Sequence, residues 1–215
     1  YFLIPDQWPL MEDVLQNLRQ SSAQVAQAFT ASIPNAATPA QLGPAALFFM
    51  AALHAGDLSS ILGEKAQDIL RGQGKGGLLS RLMQEGNIIN RLGAEPVSQD
   101  WRSITLPMAW ENEIHKIALH YKHEYHDSED NDKGSKQTRF IFDLSLSRMG
   151  DVQLDGLLRD QRLDLVIRTQ HAFSEPMQQT MRQAYTSALD HTDLRGDLNF
   201  QGSTKNWVHV LEKNE

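Results

Sequence analysis

FIFDLSLSRMGDVQLDGLLRDQRLDLVIRTQ, from Phe140 to Gln170, is the stretch that decides the fold. Phe140, Phe142, Leu144 and Leu146 alternate with Ile141, Asp143, Ser145 and Ser147. Side chains on a strand point to opposite faces in turn, so this spacing predicts a strand with one apolar face. Met149-Gly150-Asp151 predicts a tight turn, because glycine accepts the positive φ that such turns often require. Val152, Leu154 and Leu158 then alternate with Gln153, Asp155 and Arg159. Arg159-Asp160-Gln161 turns the chain again, and Leu163, Leu165 and Ile167 form a third strand. A meander of this kind is antiparallel, covered on one face and mostly polar on the other. Its cover follows directly in the chain. Ser174 is placed to cap a helix with Pro176 in its first turn, and Met177, Met181, Ala184, Tyr185, Ala188 and Leu189 line one side of it. Leu194–Phe200 returns as a strand, and Trp207, Val208 and Val210 are expected to add an edge segment.

Upstream of the meander, Ile104 and Leu106 predict a short strand and Ile114–Tyr125 a longer one, with Ile117, Leu119 and Tyr121 on one face. The segment from His126 to Lys136 has no apolar residue and reads as a solvated hairpin loop. Before Trp101 the period is helical. Pro9 suits a first turn, and Leu10, Val14, Leu18, Val25 and Phe29 predict one helix that Ile33-Pro34-Asn35 ends. Thr38-Pro39 opens a second, whose AALFFMAALHA run is apolar nearly all round and is expected at the centre of this half. Asp57–Arg71 is a third, and Leu78 to Gly93 a fourth. The expected architecture is α+β: a helical subdomain over residues 1–93, a linker over 94–100, and over 101–215 a small antiparallel sheet covered on one face by a helix.

The composition narrows the function classes. The chain has 215 residues, 40% hydrophobic and 22% charged, which is ordinary for a globular protein. A formal charge of −7 argues against nonspecific nucleic-acid binding, which needs Lys and Arg to neutralise phosphates. No run reaches the roughly 18–20 apolar residues of a membrane helix, so no membrane insertion is expected. With no cysteine there is no disulfide, thiol catalysis or thiolate metal site. Zero cysteine suits the cytoplasm and also export as an unfolded chain. Tyr1 stands first, so the sequence is expected to be part of a longer chain.

Candidate chemistry is sparse. His115, His120, His123 and His126 lie within twelve residues, and neutral imidazoles bind zinc. On a strand His115 and His123 share one face and His120 and His126 the other, and neither pair has the i, i+2 spacing that two ligands from one strand need. The expected reading is a set of polar residues on a half-exposed strand. Asp127–Gly134 has carboxylates enough for calcium but lacks the order and closing Glu of an EF-hand loop. Gly72–Gly77 does not satisfy GxxxxGK[ST] and lies between helices, so it reads as a hinge. No GxSxG elbow is present. Trp101, Trp110 and Trp207 are expected to fill core gaps or sheet edges.

The residues Leu144, Leu146, Met149-Gly150-Asp151-Val152-Gln153-Leu154, Leu163–Ile167, Met177–Leu189 and Gly196–Phe200 follow the layout of a known family. Phe140–Phe200 resembles the C-terminal domain of flagellar hook-length control proteins. The resemblance covers under a third of the chain. It departs from the family pattern at Ser147-Arg148, where a proline is common, and at Met149, where leucine is usual. It implies a non-enzymatic regulatory module without a cofactor, cytoplasmic or exported through the flagellar type III apparatus. Such a module switches export specificity by contacting the cytoplasmic domain of an export-gate component. It also implies a contact surface at Met149, Gly150, Val152, Gln153 and Leu154. The alternative from another class is a small metal-dependent hydrolase, in which the His115–His126 cluster converges with Glu113 or Asp127.

Overall fold

The computed structural model describes residues 6–35, 37–98, 100–110, 113–126, 135–146 and 150–210. The chain forms two compact units, residues 5–95 with 104–117, and residues 1–4 with 96–103 and 118–215. Where the sequence reading cuts the chain once, over 94–100, the units interleave. Ile104–Ile117 groups with the helices because its backbone and side chains are tied to them. Ala109 N–H donates to the carbonyl of Pro34 at 2.7 Å, Trp8 N–H donates to that of Ile114 at 2.7 Å, and Ala109 and Ile114 join the helical core.

The helical unit contains α1 (Pro9–Ser21), α2 (Ala23–Ala31), α3 (Pro39–His54), a short 3-10 helix (Leu58–Leu62), α4 (Gly63–Gly72) and α5 (Gly76–Ala94). A short β1 (Asp6–Gln7) pairs Asp6 with Lys116 and Gln7 with His115. The single helix expected after Pro9 is two. Ser22 leaves the helical region at φ −157°, and its hydroxyl accepts from Val25 N–H at 3.4 Å, ending one helix and capping the next. Short polar side chains compete for backbone groups in this way, which disfavours them inside helices. The apolar α3 is not central: Phe49 is 1% exposed, whereas Leu47 and Phe48 are 65% and 50% exposed. Its two faces are equally apolar in sequence, so burial is decided by which face meets the core, where Phe49 packs edge-to-face on Trp8 at 6.0 Å. Gly72–Gly77 contributes both helix ends, and only Gln73–Lys75 lies between them.

The sheet unit carries the meander. Its strands are β3 (Glu113–His126) from Ala118 onward, β4 (Ser135–Leu146), β5 (Gly150–Arg159) and β6 (Arg162–Thr169), each antiparallel to the next, while most of β2 (Arg102–Trp110) belongs to the helical unit. Helix α6 (Glu175–Thr192) follows, and β7 (Leu198–Gly202) pairs with β6 in parallel. The expected α+β architecture is present, and the sheet is mixed, not wholly antiparallel. A helical crossover returns the chain to the end from which it started, so the next strand runs parallel. Arg159 pairs with Arg162 across a two-residue turn in which Asp160 adopts φ 52°.

The register sorts side chains into rows. Leu119, Phe142, Leu154, Ile167 and Phe200 are cross-strand neighbours, as are Leu144, Val152 and Thr169. From these rows Leu144, Val152, Leu154, Ile167 and Phe200 join a cluster with Leu198, with Met181 and Tyr185 of α6, and with Phe173. Phe140 faces Gly156, and a Cβ there would meet the ring at 2.0 Å. The glycine is what lets an aromatic ring lie flat across the strand.

Candidate functional site

Gly150 opens β5 at φ 72°, pairing with Leu146 across the turn. That is the left-handed conformation glycine adopts without a Cβ penalty. Asp151 behind it accepts from the Gln170 amide at 2.7 Å, and a Cβ on Gly150 would meet Gln170 Oε1 at 2.6 Å. Met149, from the same turn, lies outside the described residues. The other residues expected at a contact surface are placed unlike one another. Val152 is 5% exposed in the core beneath α6, and Leu154, beside it on the same face, is half-buried. Gln153 points the other way and is 1% exposed. Burial leaves neither Val152 nor Gln153 a free surface for a partner in this arrangement, whereas Gly150, Asp151 and Leu154 are half-buried.

The face opposite α6, expected to be solvated, holds a buried ionic network. Its rows are Asp143, Gln153, Arg168 and Gln201, and beside them His120, Ile141, Asp155 and Val166. Arg139 grips Asp155 with two bonds, Nε to Oδ1 at 2.9 Å and Nη2 to Oδ2 at 2.8 Å. Arg168 adds Nη1 to Asp155 Oδ2 at 2.8 Å and Nε to Gln201 Oε1 at 3.1 Å. Gln153 Nε2 donates to Asp143 Oδ1 at 2.8 Å. Such a network is tolerable below the surface only because each partner is satisfied.

Two carboxylates on this face are driven in opposite directions. Burial pushes Asp155 up, but the hydrogen bonds from Arg139 and Arg168 outweigh it and hold the carboxyl below its ordinary range. Burial pushes Asp143 up, and the Gln153 bond and the charges of His120 and His209 do not reverse it. His120, 4% exposed, is pushed down by burial against the pull of Asp143. Its Nδ1 has no hydrogen-bond partner among the described residues. The signal that this face pairs internally is the presence of Arg139, Asp143, Asp155 and Arg168 on one face of three adjacent strands, and a reading of each strand alone misses it.

His115, His120 and His123 do not converge, and the side chain of His126 lies outside the described residues. His115 sits 3.5 Å from Glu113, His123 bonds Thr138 Oγ1 at 2.9 Å, and His120 is buried beside Ile141. Asp127 and the acidic loop to Gly134 lie outside the described residues. Among the described residues no three His, Cys, Asp or Glu side chains are grouped to hold a metal ion. No described helix is long and apolar enough to cross a membrane. Comparison with protein-family models, with curated proteins and with solved structures found no match.

Proposed function

We propose that this chain is a non-enzymatic docking and regulatory module of the flagellar hook-length control type. In this reading it works in the cytoplasm, or after passage through the type III apparatus, and switches export specificity by contacting the cytoplasmic domain of an export-gate component. One observation carries the reading. The order strand, glycine turn, strand, turn, strand, helix, strand over Ser135–Gly202 coincides with the layout that the resemblance implies. The left-handed Gly150 stands at its first turn. The reading assigns no covalent chemistry and no cofactor to the chain. In this reading the contact is made by the half-buried Gly150-Asp151 start of β5 and by Gln170, the exposed residue bonded to it. The test is a pull-down of the export gate's cytoplasmic domain by the full chain. Retention is expected, and Asp151→Lys should weaken it about tenfold if that end forms the contact, a change of about 1.4 kcal/mol. No retention by the full chain would overturn the reading.

A further inference from the structure

Trp207–Val210 has no regular secondary structure, yet it lies on the polar face of the meander. The segment expected at a sheet edge is placed over that face, without a strand of its own. Side chains fasten it where a ladder would fasten a strand. The Gln153 amide holds Val208 twice: Val208 N–H donates to Oε1 at 2.9 Å, and Nε2 donates to the Val208 carbonyl at 2.9 Å. The Ser98 hydroxyl donates to the carbonyl of Val210. Val208 and Val210 pack with Trp101 and Ile141. The lead-in is mostly exposed, and Ser203 turns it with φ 56°.

We propose that Trp207–Val210 is a releasable strap over a peptide-docking groove. The groove's occupant in the bound state is an extended segment of a protein partner, with valine-sized residues two apart. The strap itself displays what the groove accepts. Gln153 reads a backbone N–H and C=O, which any extended segment offers, in the manner of strand addition to a sheet. Trp101 and Ile141 supply the sockets that select the spacing. Gln153 is also held from its two flanks, by Asp143 at 2.8 Å and by Arg168 at 3.3 Å, so its amide keeps its aim when the strap leaves. A four-residue segment held by side chains opens locally at lower cost than the ladders under it. Only the nature of the partner rests on the docking reading above; the strap's release does not.

Hydrogen exchange on the full chain, followed by mass spectrometry, tests the release. The amides of 207–210 should exchange at least about tenfold faster than those of β5, since they open without global unfolding. A labelled peptide of sequence Lys205–Val210 should bind the full chain in fluorescence anisotropy, and a scrambled peptide should not. Val208→Pro removes the N–H that Gln153 receives and should raise the peptide's affinity about tenfold by weakening its internal competitor. The proposal is overturned if the strap is as protected as β5, if Val208→Pro strips protection from β5 as well, or if the peptide fails to bind a Val208→Pro chain whose β5 stays protected. Peptide binding together with failure at the export gate would sink the functional reading and leave the strap standing.

Discussion

The two faces of the β4–β6 meander are buried by different physics. Beneath α6, Val152, Ile167 and Leu198 gain stability from removal of apolar area, about 1.5–3 kcal/mol for a fully buried side chain of this size. That gain is non-directional and tolerates small shifts. On the opposite face Arg139, Asp155, Arg168 and Gln153 are held by bonds of fixed geometry. Such a network contributes little net stability over an apolar replacement, but removing one member leaves a buried charge without its counterpart. The apolar face therefore supplies cohesion, and the polar face supplies alignment and a place for a strap to grip.

The largest loss is expected from Asp155→Ala. Arg168 has a side chain 11% exposed and would lose its carboxylate partner. The expected loss is about 3–5 kcal/mol, read from urea unfolding midpoints. Replacing Asp155, Arg139 and Arg168 together by Leu, Met and Met should cost far less than that single change. If the triple variant is no better than Asp155→Ala, the network is a net source of stability and the contrast between the faces fails. Ile167→Ala on the other face comes next. It leaves a cavity under α6 and should cost about 2–4 kcal/mol. No set of partners exists there to be removed with it, so no compensating multiple substitution should rescue it.

The apolar face was legible because period-two alternation is a local signal, complete within each strand. The helix that covers it was legible for the same reason, from the spacing of Met181, Tyr185 and Leu189. The polar face was not, because Asp155 and Arg168 are thirteen residues apart and meet only through the register of β5 and β6. Gln153 shows the limit clearly. Its neighbours Val152 and Leu154 announce a strand, and nothing beside it in the sequence announces that its amide will pair with Val208, fifty-five residues on. In the helical half, the split at Ser22 and the outward face of α3 were hidden for a related cause. Propensity registers that a segment is helical, whereas tertiary packing decides where it breaks and which side is covered.

A smaller effect sharpens the role of the turn between the faces. Gly150→Val places a β-branched residue at φ 72° and against Gln170, and should lower stability by about 1–2 kcal/mol. His123→Ala, on an exposed imidazole of β3, should stay within about 0.5 kcal/mol. Equal losses in melting temperature would mean that the turn is not held by its glycine.

The pH dependence of stability separates the faces most finely, because His120, Asp143 and Asp155 all lie on the polar one. His120 is held below its ordinary 6.5 by burial, with Asp143 opposing. As pH falls through 6.5, the unfolded chain takes a proton that the folded chain refuses, so stability declines until the folded value is passed. Asp155, lowered despite its burial by the bonds from Arg139 and Arg168, contributes stability that is present above 3.8 and is lost as pH falls through its folded value. Asp143, raised by burial, acts with the other sign, since the folded chain takes up its proton first as pH falls toward 3.8. Around 6.5 the unfolded chain protonates His120 while the folded chain resists, so this group makes stability fall as pH drops just below neutrality. The urea midpoint should therefore be higher at about pH 7.5 than at about pH 5.5, and His120→Leu should shrink that difference. His120→Leu also removes the unpartnered Nδ1, so its midpoint at the higher pH should not fall. An undiminished difference in that variant would place the titration elsewhere and would leave the polar face without the pH response that its buried imidazole implies.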